Sequence, residues 1–197
     1  MTPLHDQVTQ YLFAAGVTTH VLLVAALRNP TVRDRYSAAR EVLREYDRFD
    51  FYESLLQVLG GAEMDREGAA AHLETVRAMF DAAALAIQTP FPFAADISEA
   101  GRPAAIGGSE ALIAGGNHRE ALFWIGATAA RCRGVLERDG SDEIRALFDT
   151  PFCTLLDELG IGSESDRRAR RDEVRAFLPG VLEVAEAIVT ANPDIST

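Results

Sequence analysis

The stretch at 121–132, "ALFWIGATAARC", is apolar on every side of a helical wheel. A helix of that kind leaves no face for water, so other elements must surround it. That requirement predicts a bundle with a central buried helix over 118–137. The residues just before it read as its start. Asn117 is a favoured cap residue, Glu120 follows at capping-box spacing, and Gly115-Gly116 stand immediately ahead. The capping reading expects Asn117 to cap the helix, with the Glu120 side chain turned back to the Asn117 N–H.

Helical periods also run through most of the remaining chain. Val32, Tyr36, Ala39, Leu43 and Tyr46 recur at steps of four and three, with Asn29 as a cap and Pro30 in the first turn. Leu73, Val76, Phe80, Ala83 and Ile87 form a second stripe, with Glu74, Arg77 and Asp81 on the solvent side. Thr2-Pro3 and Thr150-Pro151 each read as a cap followed by a first-turn proline. Asp50 takes the cap role in "DFYE", and Gly60-Gly61 ends that segment. A helix from about 163 meets a break or kink at Pro179, and Asn192-Pro193 stops the last element. "THVLLVAAL" at 19–27 is β-rich in composition. It has no second strand to pair with, so it is expected to be a buried helix. Three prolines and three glycines make 89–108 mostly loop, packed down by Phe91, Phe93 and Ile97. These readings define an all-α chain, a single domain over 1–197 with a possible subdomain boundary at 89–108.

Composition narrows the partners. With 30 acidic and 19 basic side chains the formal charge is -11, which repels phosphate backbones and argues against nucleic acid. "HVLLVAAL" is too short to cross a bilayer and ends at Arg28, and the N-terminus lacks a signal-peptide layout. Cys132 and Cys153 fit no metal spacing and no disulfide framework, so reduced thiols and a cytoplasmic protein are expected. No cofactor or metal is expected, because the sequence has no P-loop, GxGxxG, HExxH, nucleophile elbow or CxxC. The Ala- and Leu-rich faces exceed what one small domain hides, so a homodimer is expected.

Polar residues on the central helix raise the question of a site. The positive end of a buried helix, with His118 and Arg119 beside Asn117 and Glu120, suits a small anionic ligand. Arg131 lies on the same face as Glu120, about 16 Å away along the axis, and each needs a partner from elsewhere. The arginines at 167, 168, 170, 171 and 175 are interleaved with acids. Glu164–Arg168, Asp166–Arg170 and Arg168–Asp172 fall at pairing distance along a solvated face.

"GSEALIAGGNHREALFWIGATAARC" resembles the helical C-terminal, substrate-binding domain of kanamycin-type nucleotidyltransferases over about 90–137. The resemblance implies a helical substrate-binding half that works with a separate catalytic partner. The paired acids and Gly-Ser strand end of the catalytic half are missing from this chain. Two functions follow from the sequence. The first is a non-catalytic helical module that binds a small molecule or partner protein. The second is an enzyme with an anion-handling site around His118, Arg119 and Glu120.

Overall fold

The computed structural model describes residues 2–90 and 92–195. Its helices are α1 Leu4–Ala25, α2 Arg35–Glu45, α3 Tyr52–Leu59, α4 Arg66–Ala86, α5 Gly108–Ala114, α6 His118–Asp139, α7 Asp142–Glu158 and α8 Glu164–Ala191. No strand occurs among the described residues, so the chain is all-α.

The helix without a polar side sits where its composition requires. α6 packs against α1, α3, α4, α5 and α7, and buries nearly every residue from Glu120 to Leu136. Phe123 is 1% exposed and meets Phe13 edge-on at 5.6 Å and Tyr36 at 5.8 Å. Burying a side chain of that size stabilises the fold by about 1.5–3 kcal/mol. The periodic stripes face this core. Tyr36, Ala39 and Leu43 of α2 are buried, as are Leu73, Val76, Phe80 and Ala83 of α4. α8 lies outside α1 and runs parallel to it: Arg167 reaches Gln7 near one end, and Asn192 reaches the Ala25 carbonyl at the other. The segment 19–27 is helical through Ala25, as its lack of a pairing strand predicted. α1 also has an 18-residue window long and apolar enough to cross a membrane. That differs from the sequence expectation, which considered only the run ending at Arg28. More than half of that window is packed inside the bundle.

Several helix ends depart from their sequence signals. α1 closes with Leu27 in the left-handed region (φ 55), its N–H on the Val24 carbonyl and the Arg28 N–H on the Leu23 carbonyl. The closing turn ends at Leu27, and residues 28–31, with Asn29-Pro30 among them, are in neither helix nor turn. A short 3₁₀ turn begins only after Thr31 and leads into α2 at Arg35, so Asn29 caps nothing. Asp50 falls inside another 3₁₀ turn, Phe49–Phe51, and α3 starts behind Phe51 with no side-chain cap. Pro3 occupies the cap position expected for Thr2.

Thr150-Pro151 is the larger correction, because Pro151 lies inside α7, which begins behind the Ser141 cap. The Leu147 carbonyl loses the N–H of residue 151. Leu147 is 69% exposed, so water can supply the missing bond. Phe152, Leu155 and Leu156 hold the helix down beyond it. Pro179 likewise lies inside α8 without ending it, while Val174, Val181, Ala185 and Ile188 anchor both flanks. α8 stops at Ala191 with Asn192 after it, and Gly60 closes α3 in the left-handed region, both as the sequence indicated.

The segment 89–108 contains a 3₁₀ turn at Ala94–Asp96 and a π-helical turn at Pro103–Gly107 that runs into α5. Ile97 is buried and Phe93 is 42% exposed, while Phe91 lies outside the described residues. One hydrophobic cluster includes buried residues from both sides of this segment.

The left-handed Leu27 gives a direct test of backbone strain. An L-residue in that region costs about 1–2 kcal/mol, which glycine avoids, while glycine's extra unfolded-state freedom costs about 0.5–1 kcal/mol. Leu27→Gly is therefore expected to stabilise the protein by about 0.5–1 kcal/mol in urea unfolding. A loss of stability would show that the exposed Leu27 side chain contributes more than its backbone costs.

Candidate functional site

The turn between α5 and α6 decides how the polar residues at the start of α6 are used. Gly116 is left-handed (φ 82). Its N–H bonds the Ile113 carbonyl, and the Asn117 N–H bonds the Leu112 carbonyl at 2.8 Å. This double closure of α5 consumes the N–H that the capping-box reading assigned to Glu120. Asn117 does stand at the N-cap position of α6, just before His118, with its carbonyl accepting from the Ala121 N–H. Its side chain makes no cap hydrogen bond.

Both side chains instead turn to neighbouring helices. Arg40 on α2 donates through Nη1 to Asn117 Oδ1 at 2.8 Å and to Glu120 Oε1 at 2.6 Å. The Tyr52 hydroxyl on α3 donates to the same Glu120 oxygen at 2.6 Å. Burial first, and then the bond to Glu120, push the Tyr52 phenol far above its ordinary range and keep it a donor. Glu120 is 4% exposed, so this cluster is a closed tie among α2, α3 and α6.

The neighbours of Glu120 point elsewhere. Arg119 pairs with Glu53 and donates to the Ala62 carbonyl at 3.2 Å, pinning α3 and the α3–α4 turn. His118 is half-buried, with its Nδ1 unpartnered. Arg131 serves a separate region. Its Nη1 meets Asp96 at 2.8 Å, and its guanidinium lies 4.5 Å from the Phe93 ring centre and 4.9 Å from that of Trp124. Burial lowers its pKa and Asp96 opposes that shift. Trp124 donates to the Ala104 carbonyl at 3.0 Å, so the two side chains fasten 89–108 to α6. Asn117 and Glu120 thus share a partner, while His118, Arg119 and Arg131 do not join them.

Other polar pairs had no readable local signal. His5 on α1 bonds Glu137 on α6 at 2.8 Å, and His72 on α4 bonds Glu158 on α7 at 2.7 Å. Among the described residues no group of three or more His, Cys, Asp or Glu is arranged to hold a metal. Cys132 is buried, its thiol pushed up to about 12 by desolvation, and Cys153 is exposed; both are free.

Of the pairs expected on α8, Glu164–Arg168 forms at 3.0 Å. Asp166 instead completes a capping box with Ser163, and Arg170 takes Glu173 at 2.8 Å. Asp172 turns to Arg175 at 3.4 Å rather than to Arg168. Between α8 and α1 lies an open cleft of about 390 Å³, lined by Gln7, Gln10, Tyr11, Arg167, Arg168 and Arg171 among others. Further along the same pair of helices Val17, Val24, Leu182 and Val189 are all more than a third exposed.

No protein-family model, curated protein or solved structure matches this chain.

Proposed function

We propose that this chain is a non-catalytic helical module that associates with a second copy of itself through the exposed face of α1 and α8. It has the character of the helical half that its sequence resembles, without the catalytic one. The observation that carries the reading is where apolar side chains meet water. Val17, Val24, Leu182 and Val189 lie along adjacent parallel helices, with Leu27 just beyond α1. Single exposed apolar side chains such as Leu85 and Leu147 are ordinary on a protein surface, whereas four along one pair of adjacent helices favour an association surface.

A second copy fits this face by charge as well as by hydrophobicity. Arg175 and Glu186 are exposed on the same side of α8, one on either side of Leu182. Two α8 helices crossing antiparallel near residue 180 bring Arg175 of one copy to Glu186 of the other, twice by symmetry. An apolar centre then has a charged rim, the usual anatomy of an interface. An enzymatic role centred on His118, Arg119 and Glu120 is the weaker reading, because Glu120 and Arg119 are committed to neighbouring helices.

Light scattering at high micromolar concentration is expected to give twice the 21.4 kDa chain mass. Val24→Glu with Leu182→Glu is expected to give monomers of unchanged helicity. Arg175→Glu should weaken the dimer, and adding Glu186→Arg should restore it, which association with an unrelated protein would not do. A monomeric wild type, or a dimer indifferent to these changes, overturns the reading.

A further inference from the structure

The other end of the α1–α8 face has a different chemistry. All 19 basic side chains of this acidic chain are arginine, and three of them, Arg167, Arg168 and Arg171, line one cleft of about 390 Å³. Arg167 builds the wall. Its Nε donates to Gln7 Oε1 at 3.1 Å, and its Nη1 donates to the Ile161 and Gly162 carbonyls at 2.9 and 2.8 Å. Arg168 and Arg171 are not locked in this way. Arg168 uses only Nη2, toward Glu164 Oε1 at 3.0 Å, and the Arg171 Nε is 3.7 Å from Asp172, outside hydrogen-bond reach. The remaining N–H groups of both forks are open for a ligand. The opposite wall supplies the Gln10 amide, the Tyr11 ring and Ala14.

We infer that this cleft binds a dianionic phosphate group, clamped by the guanidinium forks of Arg168 and Arg171. A planar fork of N–H donors matches phosphate oxygens two at a time. The amides at the start of α8 are not the site, because the Ser163–Asp166 box and Glu164 already occupy that helix end. On the α8 wall three guanidiniums stand beside two carboxylates, Glu164 at 3.0 Å from Arg168 and Asp172 at 3.7 Å from Arg171, so the local charge is positive although the chain is not. At about 0.1 M salt, charges beyond about 10 Å are screened, and the distant acids do not cancel this local field. The cleft is larger than a bare phosphate needs, and its apolar wall at Tyr11 and Ala14 accommodates the organic part of a small phosphate monoester.

The site lies toward the N-terminal ends of the two helices and borders the proposed dimer face, since Ala14 and Arg171 are one turn from Val17 and Arg175. Binding is therefore also measured on the Val24→Glu, Leu182→Glu variant, where it is expected to persist. Inorganic phosphate and phenyl phosphate, titrated by calorimetry against sodium chloride at equal ionic strength, test it. Saturable one-to-one binding is expected for at least one of them. Tighter binding of phenyl phosphate assigns a monoester as the source of the phosphate group, and equal binding assigns free phosphate. Arg168→Gln with Arg171→Gln is expected to weaken binding about tenfold or more. Both side chains are more than half exposed, so the fold and its circular dichroism should persist. Arg28→Gln with Arg66→Gln removes the same charge elsewhere and should leave binding unchanged. Absence of saturable binding, or equal weakening by the two double variants, overturns the inference.

Discussion

Glu120→Ala is expected to lower the unfolding free energy by about 3 kcal/mol or more, with the midpoint of urea unfolding falling accordingly. The carboxylate holds two donors that have few alternatives. Arg40 Nη1 and the Tyr52 hydroxyl both reach Glu120 Oε1 at 2.6 Å, and Tyr52 as a residue is 2% exposed. Removing the acceptor leaves the phenol unpaired in the interior and takes from Arg40 its buried counter-charge, leaving it Asn117 and the more exposed Glu41 at 3.0 Å. The Arg40 side chain retains 20% exposure and regains some hydration, which keeps the loss below the upper end for buried pairs. Glu120→Gln preserves the shape and one acceptor oxygen, so a smaller loss of about 1–2 kcal/mol is expected. Tyr52→Phe combined with Glu120→Ala should cost less than the two changes summed, since each removes the same hydrogen bond. Near-neutral stability of Glu120→Ala would mean that this cluster does not tie α2 and α3 to α6.

That cluster shows how far the sequence could be read. The apolar wheel at 121–132 announced a central helix because a helix needs no information beyond its own residues to reveal which faces avoid water. The same sequence also showed that Glu120 and Arg131 needed partners, since charges on such a helix are not left bare. It did not name them. Arg40 lies 80 residues from Glu120 and Asp96 lies 35 from Arg131, and no local period encodes such pairings. The capping-box misreading has a related cause. Asn-x-x-Glu after two glycines fits a cap, but the closure of α5 competes for the same Asn117 N–H and takes it. Pro151 reads as a helix start and Pro179 as a break or kink from backbone chemistry alone, whereas core contacts on both sides of each keep α7 and α8 continuous. In each case packing between helices overrides a local preference. The cleft beside Arg168 is less legible still, because the sequence gives the arginines but not the wall that α1 places opposite them.

Gly60→Ala tests a close backbone approach between the ends of α3 and α7 and is expected to cost about 3 kcal/mol or more. Gly60 closes α3 at φ 84, with its N–H on the Gln57 carbonyl and the Gly61 N–H on the Leu56 carbonyl. A side chain there incurs the left-handed penalty of about 1–2 kcal/mol. It also collides: a Cβ at Gly60 would lie 2.2 Å from the Leu159 carbonyl oxygen and 3.0 Å from the carbonyl carbon. That oxygen belongs to the backbone at the end of α7, which cannot rotate aside as a side chain would. Either the α3–α4 turn or the end of α7 must shift, disturbing Leu59 and Leu159, both fully buried. Gly116 supplies the control. It is left-handed at φ 82, almost the same conformation, but a Cβ there meets nothing within 4 Å. Gly116→Ala is therefore expected to cost the conformational penalty alone, about 1–2 kcal/mol. The difference between the two variants in urea unfolding isolates the contact between α3 and α7. Equal losses would mean that the two helix ends do not press together there, and that Gly60 is required only for its turn.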